Sequence, residues 1–186
     1  MKKLLLLSSL LIAISCTHQD HKMKLDFRSN KNQASIGNNS SISVKVFDDR
    51  KNKETLGQKK FGEEKIKIIA EQNLADFLQE KFAAGLALKG FKIGFGPLAE
   101  FHVEILEYEA ARHFPVGNSE AHAAIKVIVK SDKNSGSFTK NYKLDLRNKH
   151  FLAPLESTDE QTINSLLQEI SSDIISDNAL LTRLAQ

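Results

Sequence analysis

Two segments of the 186-residue chain carry their apolar side chains on a single helical stripe, and they limit the possible folds more than any other feature. Over residues 73–89, Leu74, Phe77, Leu78, Phe82 and Leu86 recur at helical spacing, with Asp76, Gln79, Glu80 and Lys81 between them. Asn73 is placed to cap the first turn, Asp76 to complement its dipole and Gly90 to stop the helix. Ile163, Leu166, Leu167, Ile170 and Ile174 form the second stripe, opened by the capping-box spelling Ser157-Thr158-Asp159-Glu160. Asp177 or Asn178 would cap a last short turn through Leu180, Leu181 and Leu184. A helix apolar on one side must cover something, and the rest of the chain supplies strands.

Ile42, Val44 and Val46 alternate with Ser41, Ser43 and Lys45, and Ile66 and Ile68 alternate with Lys65 and Lys67. Phe91, Ile93 and Phe95 follow the first helix. Three further runs come next: 101–110 around Phe101, Val103 and Ile105; 120–130 with Ala121, Ala123, Ile125, Val127 and Val129; and 137–146 with Phe138, Tyr142, Leu144 and Leu146. Turn-rich connections make these three an antiparallel meander with one buried and one polar face. The expected fold is α+β: an antiparallel sheet of about five to six strands with two amphipathic helices packed on one face. With one cysteine there is no internal disulfide, so packing and backbone hydrogen bonds must hold it.

The N-terminus has a different task. Lys2 and Lys3 precede an apolar run over 4–14, broken only by Ser8 and Ser9. That run is about half of the roughly 20 residues a spanning helix needs, and residues 1–15 read as a signal peptide. Ile12-Ala13-Ile14-Ser15 before Cys16 resembles the lipobox of bacterial lipoproteins, with Ala13 where Leu is commoner. The resemblance implies that Cys16 carries an S-diacylglycerol and an N-acyl chain, anchoring the protein to a membrane. Thr17, where Asp would favour inner-membrane retention, implies the periplasmic leaflet of the outer membrane. Residues 17–40 are polar, with Met23, Leu25, Phe27 and Ile36 the apolar exceptions, and read as a flexible tether. The division is therefore signal peptide 1–15, lipidated N-terminus and tether 16–40, and one periplasmic domain 41–186.

Lys2 and Lys3 account for two of the 26 cations, leaving 24 against 23 acidic residues, so no nucleic-acid partner is expected. Charge is uneven: residues 45–67 hold eight basic and five acidic residues, and 154–186 hold six acidic residues against Arg183. Asp48-Asp49 lies in a charged turn with no histidine near it in sequence. His102 and Glu104 share a strand face but supply two of the three or four ligands a metal site needs. The glycines at 90, 94 and 96 follow a helix instead of opening one, unlike a phosphate loop. His18 and His21 read as solvated, and His113, His122 and His150 are scattered. No catalytic residue, metal site or cofactor is expected.

Asn73, Leu74 and Leu78-Gln79-Glu80, Lys89-Gly90-Phe91, Thr139-Lys140-Asn141-Tyr142, Asn164-Ser165-Leu166-Leu167 and Asp173-Ile174 form a recurring set of matches from residue 73 onward. In these residues the chain resembles the YajG family of envelope lipoproteins. The resemblance implies a lipid-anchored envelope protein and brings no catalytic motif. The expected function is a non-catalytic binding or scaffold module whose partner is an envelope protein or peptidoglycan. The alternative is a carrier of a small molecule or lipid between helices and sheet.

Overall fold

The computed structural model describes residues 19–27, 35–61, 63–94, 99–114, 118–131, 134–149 and 156–186. Its strands are β1 (His21–Met23), β2 (Ser41–Asp48), β3 (Gly57–Phe61), β4 (Glu64–Ala70), β5 (Lys92–Ile93), β6 (Ala99–Phe114), β7 (Asn118–Ser131) and β8 (Asn134–Lys149). Its helices are α1 (Leu74–Leu88), α2 (Glu156–Ser176) and α3 (Asn178–Ala185). Asn73 caps α1 by accepting from the Asp76 N–H, and Asp177 caps α3. The third helix is thus a full element of eight residues rather than a final turn.

All eight strands join one mixed sheet, which corrects the expectation of a purely antiparallel one. The meander β6–β7–β8 is antiparallel as read, with a bulge in β6 between Ile105 and Glu107. β2 and β3, however, both run parallel to β6, as β1 does to β4 and β5 to β2. For β2 and β3 against β6 the cause is the position of α1, which carries the chain from β4 across the sheet before β6 begins. Strands joined through a crossover helix are free to run parallel, whereas tight turns force them antiparallel.

β2 and β3 share one edge of β6. β2 pairs with Ala99–Ile105 and β3 with Ala110–Phe114. Residues 49–56 loop out between them, held by Asp49 N–H to the Ile105 carbonyl and Ala110 N–H to the Leu56 carbonyl.

The helices lie over one face of the sheet. Leu78, Phe82 and Leu86 of α1 pack on Ile42, Phe101 and Val103, with the Phe82 and Phe101 rings 5.7 Å apart. Ile163, Leu166, Leu167, Ile170 and Ile174 of α2 and Leu180, Leu181 and Leu184 of α3 complete the core. α1 and α2 approach closely at Gly85, where a Cβ would come within 2.4 Å of Ile175 Cδ1.

The tether expectation for 16–40 fails at His21–Phe27. β1 adds to the sheet edge, and Met23, Leu25 and Phe27 are buried in the core. Two side-chain amides clamp the segment. Gln72 accepts from the Leu25 N–H at 2.9 Å and donates to the Leu25 carbonyl at 3.1 Å. Asn164 accepts from the Asp26 N–H at 2.9 Å and donates to the Lys24 carbonyl at 3.2 Å. Each amide satisfies one N–H and one C=O of the strap, as a neighbouring strand would.

Candidate binding surface

The sheet face away from the helices carries an ordered cluster. Ser43, Lys45 and Phe47 fall on the polar phase of β2, and register sets Lys45 opposite His102 and Phe47 opposite Glu104. Lys45 Nζ lies 2.5 Å from a Glu100 carboxylate oxygen. His102 has a carboxylate at each ring nitrogen: Glu100 at 3.3 Å from Nδ1 and Glu104 at 3.3 Å from Nε2. The Phe47 ring stacks on the imidazole, with centroids 4.7 Å apart and planes at 24°. Phe47 is nonetheless 44% exposed, while the His102 side chain is 16% exposed. The result is an exposed apolar ring stacked on a charged, hydrogen-bonded bed.

Beside it, residues 49–56 are organised by Arg50, whose side chain is 4% exposed. Its guanidinium forks onto Asp48, with Nε to Oδ1 and Nη2 to Oδ2 both at 2.8 Å, and donates from Nη1 to the Thr55 carbonyl at 2.9 Å. A cleft of about 440 Å³ lies between this loop and the N-terminus of α1, lined by Phe47, Asp48, Leu56, Asn73 and Asp76. A second cavity of about 600 Å³ lies on the other side of Arg50, against Leu106 and Tyr108. Burial pushes the Tyr108 hydroxyl well above its ordinary pKa, and that hydroxyl donates to the Ile163 carbonyl at 3.0 Å. Tyr108 is therefore a neutral structural pin between β6 and α2.

The residues singled out in the sequence fall in separate places. Cys16, His18 and Gly96 lie outside the described residues. Asp48 is engaged by Arg50, which leaves no free carboxylate pair with Asp49. His102 and Glu104 do meet, with Glu100 as the unforeseen third member; among the described residues no group of His, Cys, Asp and Glu is placed to hold a metal ion. Gly90 ends α1 at φ +87°, against Ser35, where a Cβ would come within 2.3 Å of the Ser35 hydroxyl oxygen. His21 is buried, with Nε2 3.5 Å from Glu160. Lys140 and Tyr142 both bind Asp177, the tyrosine at 2.6 Å, and so fasten the α2–α3 junction to β8. Among the described residues no helix is long and apolar enough to cross a membrane.

Phe47 and Arg50 belong to no motif in the sequence, and only the structure brings them to the site. Phe47 left a trace, since it is an aromatic side chain on the polar phase of its strand. The Asp48-x-Arg50 spacing was the only hint of the fork.

The family of uncharacterized lipoproteins designated Lipoprotein_16 matches residues 28–185. The chain belongs to this family. It is the YajG family of lipoproteins that the sequence resembled. In this YajG-family chain five of the matching residues have structural roles: Asn73 and Gly90 bound α1, Asn164 clamps the strap, and Lys140 and Tyr142 hold Asp177. Among curated proteins there is no significant match. Among solved structures, protein XCC0632 from Xanthomonas campestris shares the fold with a TM-score of 0.65 at 8% identity, covering 87% of this chain and 95% of the other. Protein CT253 from Chlamydia trachomatis does so with a TM-score of 0.51 at 11% identity, over 78% and 97%.

Proposed function

We propose that this lipoprotein is a non-catalytic module of the bacterial envelope, anchored by acyl chains on Cys16 in the periplasmic leaflet of the outer membrane. Its partner is an envelope protein that contacts the open face around Phe47. The observation that carries this reading is the exposed Phe47 ring stacked on His102. An exposed aromatic held rigid by its neighbours loses little entropy on binding, which is the character of an interface anchor. The surrounding Glu100 and Glu104 favour a partner that frames an apolar contact with cations.

The reading of a small-molecule or lipid carrier finds less support. The helix–sheet interface is occupied by side chains such as Leu78, Phe82, Phe101 and Leu167, and the walls of the 440 Å³ cleft include an Arg50–Asp48 pair already satisfied by itself. A photocrosslinking residue at Phe47, in the full lipoprotein in intact envelopes, tests the proposal. One discrete protein adduct, absent with the crosslinker at Glu169 on α2, is expected. Adducts to peptidoglycan or lipid alone would replace the protein partner, and hydrolysis of an envelope substrate by the purified protein would end the non-catalytic reading.

A further inference from the structure

Four residues separate Cys16 from His21, where β1 begins, so five residue steps join them. A fully extended chain spans at most ~3.6 Å per residue, so β1 starts within ~18 Å of the acylated sulfur. β1 is not loose at that point: it is paired with β4, with His21 opposite Ile68, and its continuation is clamped by Gln72 and Asn164. An anchor at Cys16 therefore holds the β1–β4–β3 end of the sheet at the headgroup layer.

That end is rich in lysine, with Glu107 and Glu109 of β6 lining the same cavity as Gln58 and Lys67. Register sets Lys60 opposite Lys65 and Gln58 opposite Lys67, so the three lysines share a face, and Lys22 of β1, opposite Ile69, joins them. The reverse face of the same strands is core, with Met23 and Ile68 buried. Lys22, Lys65 and Lys67 are exposed and Lys60 half-buried, and none of the four is in an ion pair among the described residues. The acidic groups nearest in the chain are Asp20, before Lys22, Glu63 and Glu64 at the hairpin turn, and Glu71, the first residue past β4. Glu64 falls on the opposite strand phase, opposite Phe61.

We infer that this lysine face rests on a layer of anionic lipid headgroups, so that the domain is docked against the leaflet holding its acyl chains instead of swinging clear of it. The inference rests on the acylation of Cys16 proposed above. Lysines held near an anionic surface each favour the docked state, by roughly fivefold per residue. Lys45 lies opposite His102 and Lys60 opposite His113, eleven residues along β6, so the Phe47–His102 cluster lies on the same sheet face as the lysines, up to roughly 35 Å along it.

The test uses the full acylated protein in vesicles of phosphatidylethanolamine and phosphatidylglycerol. Acylation occupies Cys16, so Gln58→Cys or Glu169→Cys introduces a single free thiol for a fluorescent reporter. Headgroup-linked nitroxide lipid should quench the Gln58 reporter severalfold more than the Glu169 reporter. The excess should fall on raising the salt, and should vanish with Lys60→Glu, Lys65→Glu and Lys67→Glu combined, while the protein still floats with the vesicles. Equal quenching at both positions, or quenching at Gln58 indifferent to the three reversals, overturns the docking. The mass of the N-terminal peptide separates the two readings. An unmodified Cys16 in protein that does not float removes the anchor and the docking together, whereas acylated protein with equal quenching removes the docking alone.

Discussion

The two edges of β6 are built by different rules. Along one edge β7 pairs from Ala99 to His113, interrupted only by the bulge after Ile105, and the connection between the strands is short. Along the other edge the ladder is shared by β2 and β3, and the gap between them is filled by a buried Arg50–Asp48 fork. A hairpin edge draws on local chain closure, which is entropically cheap, whereas the split edge depends on a long crossover and on one desolvated ion pair. The clefts and the exposed Phe47 are on the split edge.

The comparison is broken most severely at Arg50. Arg50→Met should cost about 3 kcal/mol, because the half-buried Asp48 loses its partner and the Thr55 carbonyl its donor. Asp48→Asn together with Arg50→Met should recover part of that loss in urea unfolding. Amide exchange should show β2 and β3 losing protection before β7 and β8. If all four strands lose protection together, the two edges are a single cooperative unit and the contrast is only geometric.

Gly57→Ala is the next largest change. A Cβ there would come within 1.9 Å of the Ala110 carbonyl oxygen, at the first rung of β3 on β6, where backbone must shift. A loss of about 2–3 kcal/mol is expected, read as a lower thermal midpoint.

The smallest effect belongs to the continuous side, at Asp177. Burial pushes its carboxyl upward, but hydrogen bonds from Lys140, Tyr142 and the Leu180 N–H outweigh that and hold it below its ordinary value of 3.8. A carboxyl lowered in the folded state stabilises the fold above its unfolded pKa, and the benefit is lost as pH falls through the lower folded value. Asp177→Asn, which keeps the cap, should cost about 1 kcal/mol near neutral pH and flatten the acid limb of stability below about pH 4. An acid limb identical to that of the parent protein would assign the acid sensitivity to other carboxyls.

The same division governs what could be read in advance. α1 and its boundaries were legible because Asn73, the Leu74–Leu86 stripe and Gly90 all act within a few residues of one another. The meander was legible for the same reason. Parallel pairing was not, since β2 alternates Ile42, Val44 and Val46 identically whichever way its neighbour runs. The strap shows a subtler failure. Met23, Leu25 and Phe27 alternate with Lys24 and Asp26, but the polar segment around them masked the pattern. What fixes the strap comes from Gln72 and Asn164, 47 and 138 residues away from the backbone groups they hold. At the open face, Glu104 was visible beside His102, while Glu100 needed the strand's true start at Ala99 to join the cluster.

The Asn164 clamp also orders events in time. Residues 24–26 leave the ribosome early, and Gln72 can hold Leu25 once residue 72 has followed, yet the side chain that secures Lys24 and Asp26 belongs to the last long helix. A chain delivered from its N-terminus cannot close this clasp until nearly all of it has arrived, and contacts so distant in sequence form slowly. The first strand and the last long helix thus wait for each other: a chain stopped short of Asn164 would keep the β1–β4 pairing, the Gln72 clamp and the Phe27–Phe77 contact, but leave the Lys24 carbonyl and the Asp26 N–H without the partner that completes the clasp.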